Sequence, residues 1–163
     1  MRITVVCSGN ICRSPMAELV LRRALADAGL GDQARVDSAG TGSWHLGQPA
    51  DPRALATLAR HGYDGGAHRA RQFTAEWFND GPELVLALDR GHLTALRRLT
   101  EDPDQRAAVR LLRSFDPALA GLAEDDRALD VPDPYYDDSF PAVLAMLQSA
   151  APGVVEFVRS RSR

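Results

Sequence analysis

The sequence contains no lysine, only two cysteines, and a formal net charge of just −3. All 19 basic residues are arginines, and they form no basic block before the short tail Arg159–Arg163, which we interpret as a solvated end of the chain. This balance gives no indication of binding to DNA, RNA or an anionic membrane. Cys7 and Cys12 cannot form a disulfide framework and suggest a reducing compartment. We therefore expect a cytoplasmic protein, with signal-less secretion left open.

Long hydrophobic runs are also missing near the N-terminus. The apolar run within Met1–Cys7 is far too short for a signal peptide or a membrane span. No repeat, low-complexity tract or long linker divides the 163 residues, and 45% of them are hydrophobic and 25% charged, as in ordinary globular proteins. We expect one domain over residues 1–163, with a monomer as the default state.

Short apolar segments alternate with amphipathic segments along the chain. This rhythm is typical of a parallel sheet that helices cover on both faces, and it predicts an α/β fold. The strand candidates are Ile3–Val6, Arg35–Asp37, Leu84–Leu88 and Val109–Leu112.

The first predicted helix begins directly after the loop that follows the first strand. Ser14 is its expected N-cap and Pro15 its first residue, and its apolar face consists of Met16, Leu19, Val20 and Ala24. Further helices are predicted at Pro52–Arg60 with Asp51 as cap, at Gly91–Leu99, along the stripe Phe140, Val143, Leu144 and Leu147, and over Val154–Val158. Most of Asp116–Asp138 is predicted to be loop, because it is rich in Asp, Pro and Gly.

The connection between the first strand and the first helix has the composition of an anion-binding loop. A tight strand–loop–helix connection turns successive backbone N–H groups inward, and the helix N-terminus adds partial positive charge. Gly9 permits backbone angles that other residues resist, and Asn10 tolerates them better than most. The predicted phosphate-binding loop comprises Ser8, Gly9, Asn10, Ile11, Cys12, Arg13 and Ser14.

Cys7 lies at the carboxyl end of the predicted strand, where open α/β sheets bind their ligands. The nest of N–H groups, the helix dipole and Arg13 all favour its thiolate, which is the nucleophilic form. Arg13 carries a planar fork of donors that matches two phosphate oxygens, and the Ser14 hydroxyl could donate to the sulfur. The alternative is that Cys7 is a small buried hydrophobic residue. The strand before it, Gly-Asn within the loop and Ser-Pro after it favour the catalytic interpretation.

Cys12 has two interpretations. It is either a packed loop residue or the partner of Cys7 in a reversible disulfide. Zinc binding is not indicated, because His45, His61 and His68 lack the spacing that would complete a site with the two cysteines. We predict no metal and no cofactor.

Attack of a thiolate on a phosphate ester requires a proton for the leaving oxygen. The leading candidate for the acid is Asp133, where flanking prolines stiffen the loop and Tyr135 and Tyr136 add aromatic surface. The whole segment could instead be an acidic solvated turn, and it holds rival acids, namely Asp125, Asp126, Asp130, Asp137 and Asp138. Trp44, in a loop of small residues, either lines the same pocket or anchors its loop on the surface.

At these residues the sequence resembles the low-molecular-weight protein tyrosine phosphatases over nearly its whole length. Residues 7–15 reproduce the family's signature CSGNICRSP, and residues 133–136 reproduce its distant acid motif DPYY. Intervening segments also match in order, namely Asp37–Thr41, Ala50–Arg53, His61–Gly62, His68–Gln72 and Ser114–Pro117. One departure is Asp137, where many members carry glycine.

The resemblance implies a three-layer α/β/α domain with a central four-stranded parallel sheet, acting on phosphotyrosine in proteins and releasing inorganic phosphate. It implies that Cys7 is the nucleophile, Arg13 the phosphate clamp and Asp133 the general acid. It also implies a supporting hydrogen-bond network and a slot for the phosphotyrosine ring; the network comprises Asn10, Ser14, Ser38 and His68, and the slot comprises Ile11, Trp44, Tyr135 and Tyr136.

Three other functions have to be distinguished from that of a tyrosine phosphatase. Protein-arginine phosphatases resemble this signature but carry threonine where this chain has the apolar Ile11, which suits an aromatic ring. Arsenate reductases share the loop but use further cysteines distant in sequence, whereas the second cysteine here is Cys12, inside the loop. A phosphoprotein-binding module without turnover is disfavoured because nucleophile, clamp and acid are all present.

Overall fold

Four parallel strands form the centre of the structure, a computed structural model that describes residues 1–163. They are β1 (Arg2–Cys7), β2 (Arg35–Gly40), β3 (Leu84–Ala87) and β4 (Val109–Leu111), in the order β2-β1-β3-β4. Ile3 of β1 stands opposite Val36 of β2 and Leu84 of β3. All four predicted strands are confirmed, although β1 is one residue longer at each end, β2 continues three residues further and β3 ends one residue early, at Ala87. The fourth ends one residue early because a 3₁₀ helix begins at Leu112.

Five α-helices and four 3₁₀ helices connect and cover these strands. The α-helices are α1 (Arg13–Asp27), α2 (Pro52–Arg60), α3 (Arg90–Arg97), α4 (Pro103–Ala108) and α5 (Phe140–Arg161). The 3₁₀ helices span Ala75–Asp80, Leu112–Phe115, Pro117–Leu119 and Arg127–Leu129. The predicted α2 and its Asp51 cap are confirmed, since the Asp51 carboxylate accepts from the Arg53 amide. The region 116–138 is mostly loop, as predicted.

Other helix boundaries differ from the predictions. The third helix begins at Arg90 rather than Gly91, because Asp89 caps it by accepting from the His92 amide. The prediction that Ser14 is the N-cap of α1 is wrong. Cys12 occupies the N-cap position and makes no side-chain capping bond, while the Ser14 hydroxyl forms hydrogen bonds with Cys7 and Asn10. The two predicted C-terminal helical segments form one continuous helix, α5, with Pro152 inside it.

Two hydrophobic clusters cover opposite faces of the sheet. Alternate residues of β3 point to opposite sides, so that Leu84 and Leu86 join one cluster and Val85 and Ala87 the other. The first cluster includes residues of α1, α2 and α5, and the second includes residues of α3 and of the 3₁₀ helix Ala75–Asp80. The strands are therefore buried on both faces, and the architecture is α/β/α in three layers.

Helix α5 is long and apolar enough, by length and composition, to cross a membrane. Its apolar residues nevertheless pack inside the first cluster against α1, including Phe140, Leu147 and Val154. Gly153 lets this helix approach the chain at Phe115, where a Cβ atom would lie 1.7 Å from the Phe115 carbonyl oxygen. The apolar composition of α5 thus corresponds to core packing.

The order of the strands places a crevice at the carboxyl end of β1. The chain passes from β1 to β2 on one side and then crosses over to β3 on the other side. At such a topological switch point the two connections diverge, and the space between them is where open α/β sheets bind ligands. Cys7 is the last residue of β1.

Candidate active site

A tight loop runs from Cys7 at the end of β1 to the start of α1. Asn10 has φ 57°, a left-handed conformation that Asn tolerates better than most residues. The loop also lies directly against β2, where a Cβ atom on Gly40 would lie 2.5 Å from the Ser8 carbonyl oxygen. A glycine at the end of β2 is therefore required for this close approach.

The backbone amides of the loop are unpaired within the protein. The N–H groups from Ser8 to Ser14 donate to no acceptor in the chain. Amides of this kind at the N-terminus of a helix form a binding site for an anion. Most of these residues line a cleft of about 480 Å³ together with Cys7. The loop thus carries seven backbone donors without a partner in the protein, five of them on residues that line the cleft with the thiol.

The Cys7 thiol is nearly buried and lies beside one hydroxyl group. Its sulfur is 3.0 Å from Ser14 Oγ, and its side chain is a free cysteine. Asn10 Nδ2 donates to the same Ser14 oxygen at 2.8 Å, so the Ser14 hydroxyl can direct its proton to the sulfur or to the Ala39 carbonyl at 3.4 Å.

Asn10 connects the loop to two other parts of the chain. Its amide group donates to Ser38 Oγ at 3.0 Å, and its Oδ1 accepts from the Arg71 amide at 2.9 Å. His68 Nε2 donates to the Asn10 carbonyl at 2.6 Å, and burial lowers the pKa of His68, which favours the neutral ring. Asn10, Ser14, Ser38 and His68, which the resemblance grouped, are thus joined through hydrogen bonds. Glu18, which accepts from Ser38 at 2.5 Å, extends the group.

The guanidinium of Arg13 is buried, and Asp89 and Val131 bind it. Its Nη1 donates to Asp89 Oδ2 and to the Val131 carbonyl, both at 2.9 Å. Its Nη2 lies 3.8 Å from Asp133 Oδ2. Two partners therefore orient the fork, which faces the cleft beside Cys7.

Asp133 is the one acid among the candidates that lines this cleft. Its Oδ1 accepts from the Tyr135 amide at 3.1 Å. Four of the rival acids are engaged elsewhere: Asp130 pairs with Arg90, Asp126 accepts from Ala128, Asp137 accepts from Ser139, and Asp138 pairs with Arg53. The fifth, Asp125, borders a different cleft beside Arg90 and Arg97.

The walls of the cleft are aromatic and apolar. Trp44, Tyr135 and Tyr136 line it together with Ile11, and Trp44 and Tyr136 are 71% and 87% exposed. Tyr135 and Tyr136 meet edge to face with ring centroids 5.1 Å apart. Exposed aromatic side chains of this kind around the mouth of a cleft can hold an aromatic ring between them.

Cys12 also lines the cleft, but its environment opposes ionisation. Burial and the nearby carboxylate of Asp51 raise the pKa of the Cys12 thiol to about 12. At neutral pH this cysteine is therefore a protonated thiol rather than a nucleophile.

His92 is a site residue that the sequence reasoning missed. Its Nδ1 accepts from the Asp89 amide at 3.2 Å, so its Nε2 carries the proton and donates to Ser8 Oγ at 2.8 Å. Asp89 in turn holds Arg13. The only sequence signal was the spacing of Asp89 and His92 at a helix start, since Ser8 lies 84 residues away from His92. This pair connects α3 to the phosphate loop.

Protonation of His92 is expected to make stability depend on pH. Burial lowers its pKa to about 4, against about 6.5 in an unfolded chain. Between these values the unfolded chain binds a proton that the folded chain does not, so stability falls as the pH falls through this window. We expect this contribution to the free energy of unfolding to decrease by about 2 kcal/mol from pH 7 to pH 5.

Urea unfolding at both pH values measures this effect. The variant His92→Gln should show a smaller loss of stability than the unmodified protein, and the exposed His61→Gln should retain the full loss. An unchanged pH dependence in His92→Gln would contradict the assignment.

Known proteins that resemble the chain agree on one family. The sequence model of the low molecular weight phosphotyrosine protein phosphatases matches residues 2–162. A low molecular weight protein-tyrosine-phosphatase from Streptomyces coelicolor is 54% identical over 162 residues, which cover 98% of this chain and 94% of that protein.

Solved structures share the fold. A protein tyrosine phosphatase from Entamoeba histolytica, with Hepes in its active site, superposes with a TM-score of 0.86 at 27% identity and covers 100% of this chain and 99% of its own. The YwlE arginine phosphatase, in a mutant with a phosphorylated active-site serine, has a TM-score of 0.80 at 25% identity, with 98% and 96% of the two chains covered. The matched residues, the strand order and the cleft together show that the chain belongs to the low molecular weight phosphotyrosine protein phosphatases.

Proposed function

We propose that this protein hydrolyses phosphotyrosine in protein substrates through a phosphocysteine at Cys7, with Asp133 as general acid and then base. The observation that carries the proposal is the convergence of three groups in one cleft. These groups are the Cys7 thiol, the unpaired amides of Ser8–Ser14 with Arg13, and the Asp133 carboxyl.

In the first step the Cys7 thiolate attacks phosphorus in line with the phenolic oxygen. The S–P bond forms as the P–O bond to the tyrosine breaks, and protonated Asp133 gives its proton to the leaving oxygen. The loop amides and Arg13 bind the equatorial oxygens, whose charge they offset without having to reorganise. Their fixed positions are consistent with catalysis mainly by electrostatic stabilisation.

In the second step water attacks the phosphocysteine. Asp133, now ionised, takes a proton from this water, the new P–O bond forms and the S–P bond breaks. Inorganic phosphate leaves and the Cys7 thiolate is restored. The Ser14 hydroxyl, 3.0 Å from the sulfur, can donate to the departing thiolate and stabilise it. Arg13 and the amides supply the positive charge for both steps, so these steps use no metal ion.

The substrate class follows from the walls of the cleft. Ile11, Trp44 and Tyr135 present apolar and aromatic surface that suits the face of a phenyl ring. A guanidinium, the leaving group of an arginine phosphatase, would find no hydroxyl at Ile11. Small aryl phosphates should also react, because the open cleft makes few demands on the rest of a peptide.

We further propose that the protein acts in the cytoplasm as a monomer and binds neither nucleic acid nor membranes. The support is its small net charge, its two unpaired cysteines, and the packing of α5 within the core. Size-exclusion chromatography with light scattering tests the monomer directly.

The function is tested by hydrolysis of a phosphotyrosine peptide, a phosphoserine peptide and a phosphoarginine peptide in the presence of a chelator. We expect turnover of the first, at a rate far above the other two. Preferential turnover of the phosphoarginine peptide would identify the protein as an arginine phosphatase. Tight binding of the phosphotyrosine peptide without turnover would identify a binding module.

Asp133→Ala should slow the first step most strongly for poor leaving groups. We expect kcat/KM for phenyl phosphate to fall about 100-fold, because phenol, with a pKa near 10, needs a proton to leave. The decrease for p-nitrophenyl phosphate should be much smaller, since its leaving group is stable as an anion. Asp126→Ala, on an acid outside the cleft, serves as control. Equal losses for the two esters would show that Asp133 is not the acid.

A further inference from the structure

We propose that Arg53 is a positioning residue for the general acid, holding the loop 133–139 against the phosphate loop. This loop, hereafter the acid loop, contains Asp133 and the two tyrosines of the cleft. The inference rests on the proposed function, because it concerns how Asp133 is held in place to donate its proton.

Arg53 is fastened at one side to Asp51. Its Nε donates to Asp51 Oδ1 and its Nη2 to Asp51 Oδ2, both at 3.0 Å. This two-pronged geometry uses the planar fork of the guanidinium and fixes its orientation. The side-chain hydrogen bond from Arg53 lowers the pKa of Asp51, which keeps the carboxylate ionised and the pair intact.

Asp51 in turn is attached to the phosphate loop. Its amide donates to the Ile11 carbonyl at 2.8 Å, and its side chain caps α2. Asp51 is 8% exposed, so it has little freedom to move apart from the loop. Arg53 is therefore bound to a residue, Asp51, that is joined by one hydrogen bond to Ile11 in the wall of the cleft.

The remaining donor of Arg53 reaches across to the acid loop. Its Nη1 donates to the Tyr135 carbonyl at 2.9 Å and also to the Asp138 carboxylate. Asp138 has φ 58°, and its amide donates to the Pro134 carbonyl at 3.0 Å, which closes the turn. Arg53 thus holds both ends of the turn that follows Asp133.

The same turn determines where the catalytic carboxyl lies. The Tyr135 amide donates to Asp133 Oδ1, while the Tyr135 carbonyl accepts from Arg53. A shift of Tyr135 would therefore move the acid as well as one wall of the cleft. The Arg53 guanidinium also lies 5.2 Å from the Tyr135 ring centroid and 4.9 Å from that of Phe140, which adds cation–π contact at both.

On the N-terminal side of the acid loop the chain is held at the buried Val131, whose carbonyl accepts from Arg13 at 2.9 Å. Arg13 lies 3.8 Å from Asp133, and its own hydrogen bonds go to Asp89 and Val131. Much of the loop is exposed, including Tyr136 and Asp138. After Asp133, the connection through Arg53 is therefore the side-chain link that joins the acid loop to the phosphate loop.

The test measures kcat/KM for a series of aryl phosphates of increasing leaving-group pKa. Arg53→Ala should lower the value for phenyl phosphate about 10-fold and the value for p-nitrophenyl phosphate much less, because a displaced acid matters most when the leaving oxygen needs a proton. Arg53→Lys keeps the charge but cannot bind Asp51 and Asp138 together, so it should lie between Arg53→Ala and the unmodified protein. Arg60→Ala, on the same helix, should have no such effect.

A double variant separates positioning from a general structural role. In the Asp133→Ala background, Arg53→Ala should have no further effect on phenyl phosphate, because the group that Arg53 positions is already absent. Equal losses for all esters, or additive losses in the double variant, would overturn the proposal. The unmodified protein's turnover of phosphotyrosine peptide is measured alongside. Its absence would refute the proposed function, whereas normal turnover with an unaffected Arg53→Ala would refute only the positioning role.

Discussion

Cys7→Ser is expected to abolish hydrolysis of phosphotyrosine peptide and p-nitrophenyl phosphate, with a loss of at least about 10⁴-fold in kcat. The serine hydroxyl stays protonated at neutral pH, so the loop loses its nucleophile while retaining its amides and Arg13. Binding of inorganic phosphate should therefore survive, within a factor of a few, in isothermal titration calorimetry. The unmodified enzyme, quenched in acid during turnover, should carry one phosphoryl group on the Cys7 peptide by mass spectrometry.

The folding control for this variant is its thermal unfolding temperature. Oxygen is smaller than sulfur but can keep the hydrogen bond to Ser14, so the variant should remain folded. Substantial turnover by folded Cys7→Ser, or a phosphoryl group found at another residue, would refute the covalent mechanism.

Arg13→Lys should lower kcat/KM about 10³-fold even though the positive charge remains. Lysine has a single ammonium group, which cannot bind two phosphate oxygens in a plane and also reach Asp89 and the Val131 carbonyl. Both ground-state binding and transition-state stabilisation should suffer, so kcat should fall and the dissociation constant of phosphate should rise. Steady-state kinetics and phosphate titration measure the two effects separately.

The matched control is Arg90→Lys. Arg90 is likewise paired with an aspartate, binding both oxygens of the Asp130 carboxylate, but it does not line the cleft. This variant should retain nearly full activity. If Arg13→Lys behaved like Arg90→Lys, the fork geometry would not matter and simple charge would explain phosphate binding.

Much of the fold was predictable because its signals are local. The central strands β1 and β3 contain short runs of β-branched and aliphatic residues. Asp51 before Pro52 predicts a helix start in a way that needs no tertiary information. The helix α4 was missed because none of its residues is buried, so it shows no apolar periodicity. Its remaining signal was Asp102 before Pro103, the same cap pattern as at Asp51.

The incorrect cap at Ser14 has a tertiary cause. From the sequence, a serine before proline is a strong N-cap candidate. In the structure its hydroxyl forms hydrogen bonds with Cys7 and Asn10 within the phosphate loop, so it does not cap the helix. A local rule gives way here to the requirements of the site.

The site residues that were not predicted, His92 and Asp89, also could not be identified from local sequence patterns. His92 and Asp89 look like an ordinary helix start, and their capping hydrogen bonds are indeed present. Their contacts with Ser8 and Arg13 depend on β3 lying beside β1, which brings together residues more than 70 positions apart. Only the folded sheet reveals that this cap also supports the phosphate loop.

The position of Cys7 in β1 has a consequence for the protein during its synthesis. The residues that surround this cysteine in the fold, from Ser38 through His92 to Asp133, follow it over the next 126 positions. At about 5–20 residues per second this interval lasts roughly 6 to 25 s. For the first 80 of these positions, up to Ala87, β1 lacks β3, its partner in the sheet, and the nascent chain carries an ordinary thiol. Catalytic reactivity therefore arises only after Asp133 has been added to the growing polypeptide, long after the nucleophile itself.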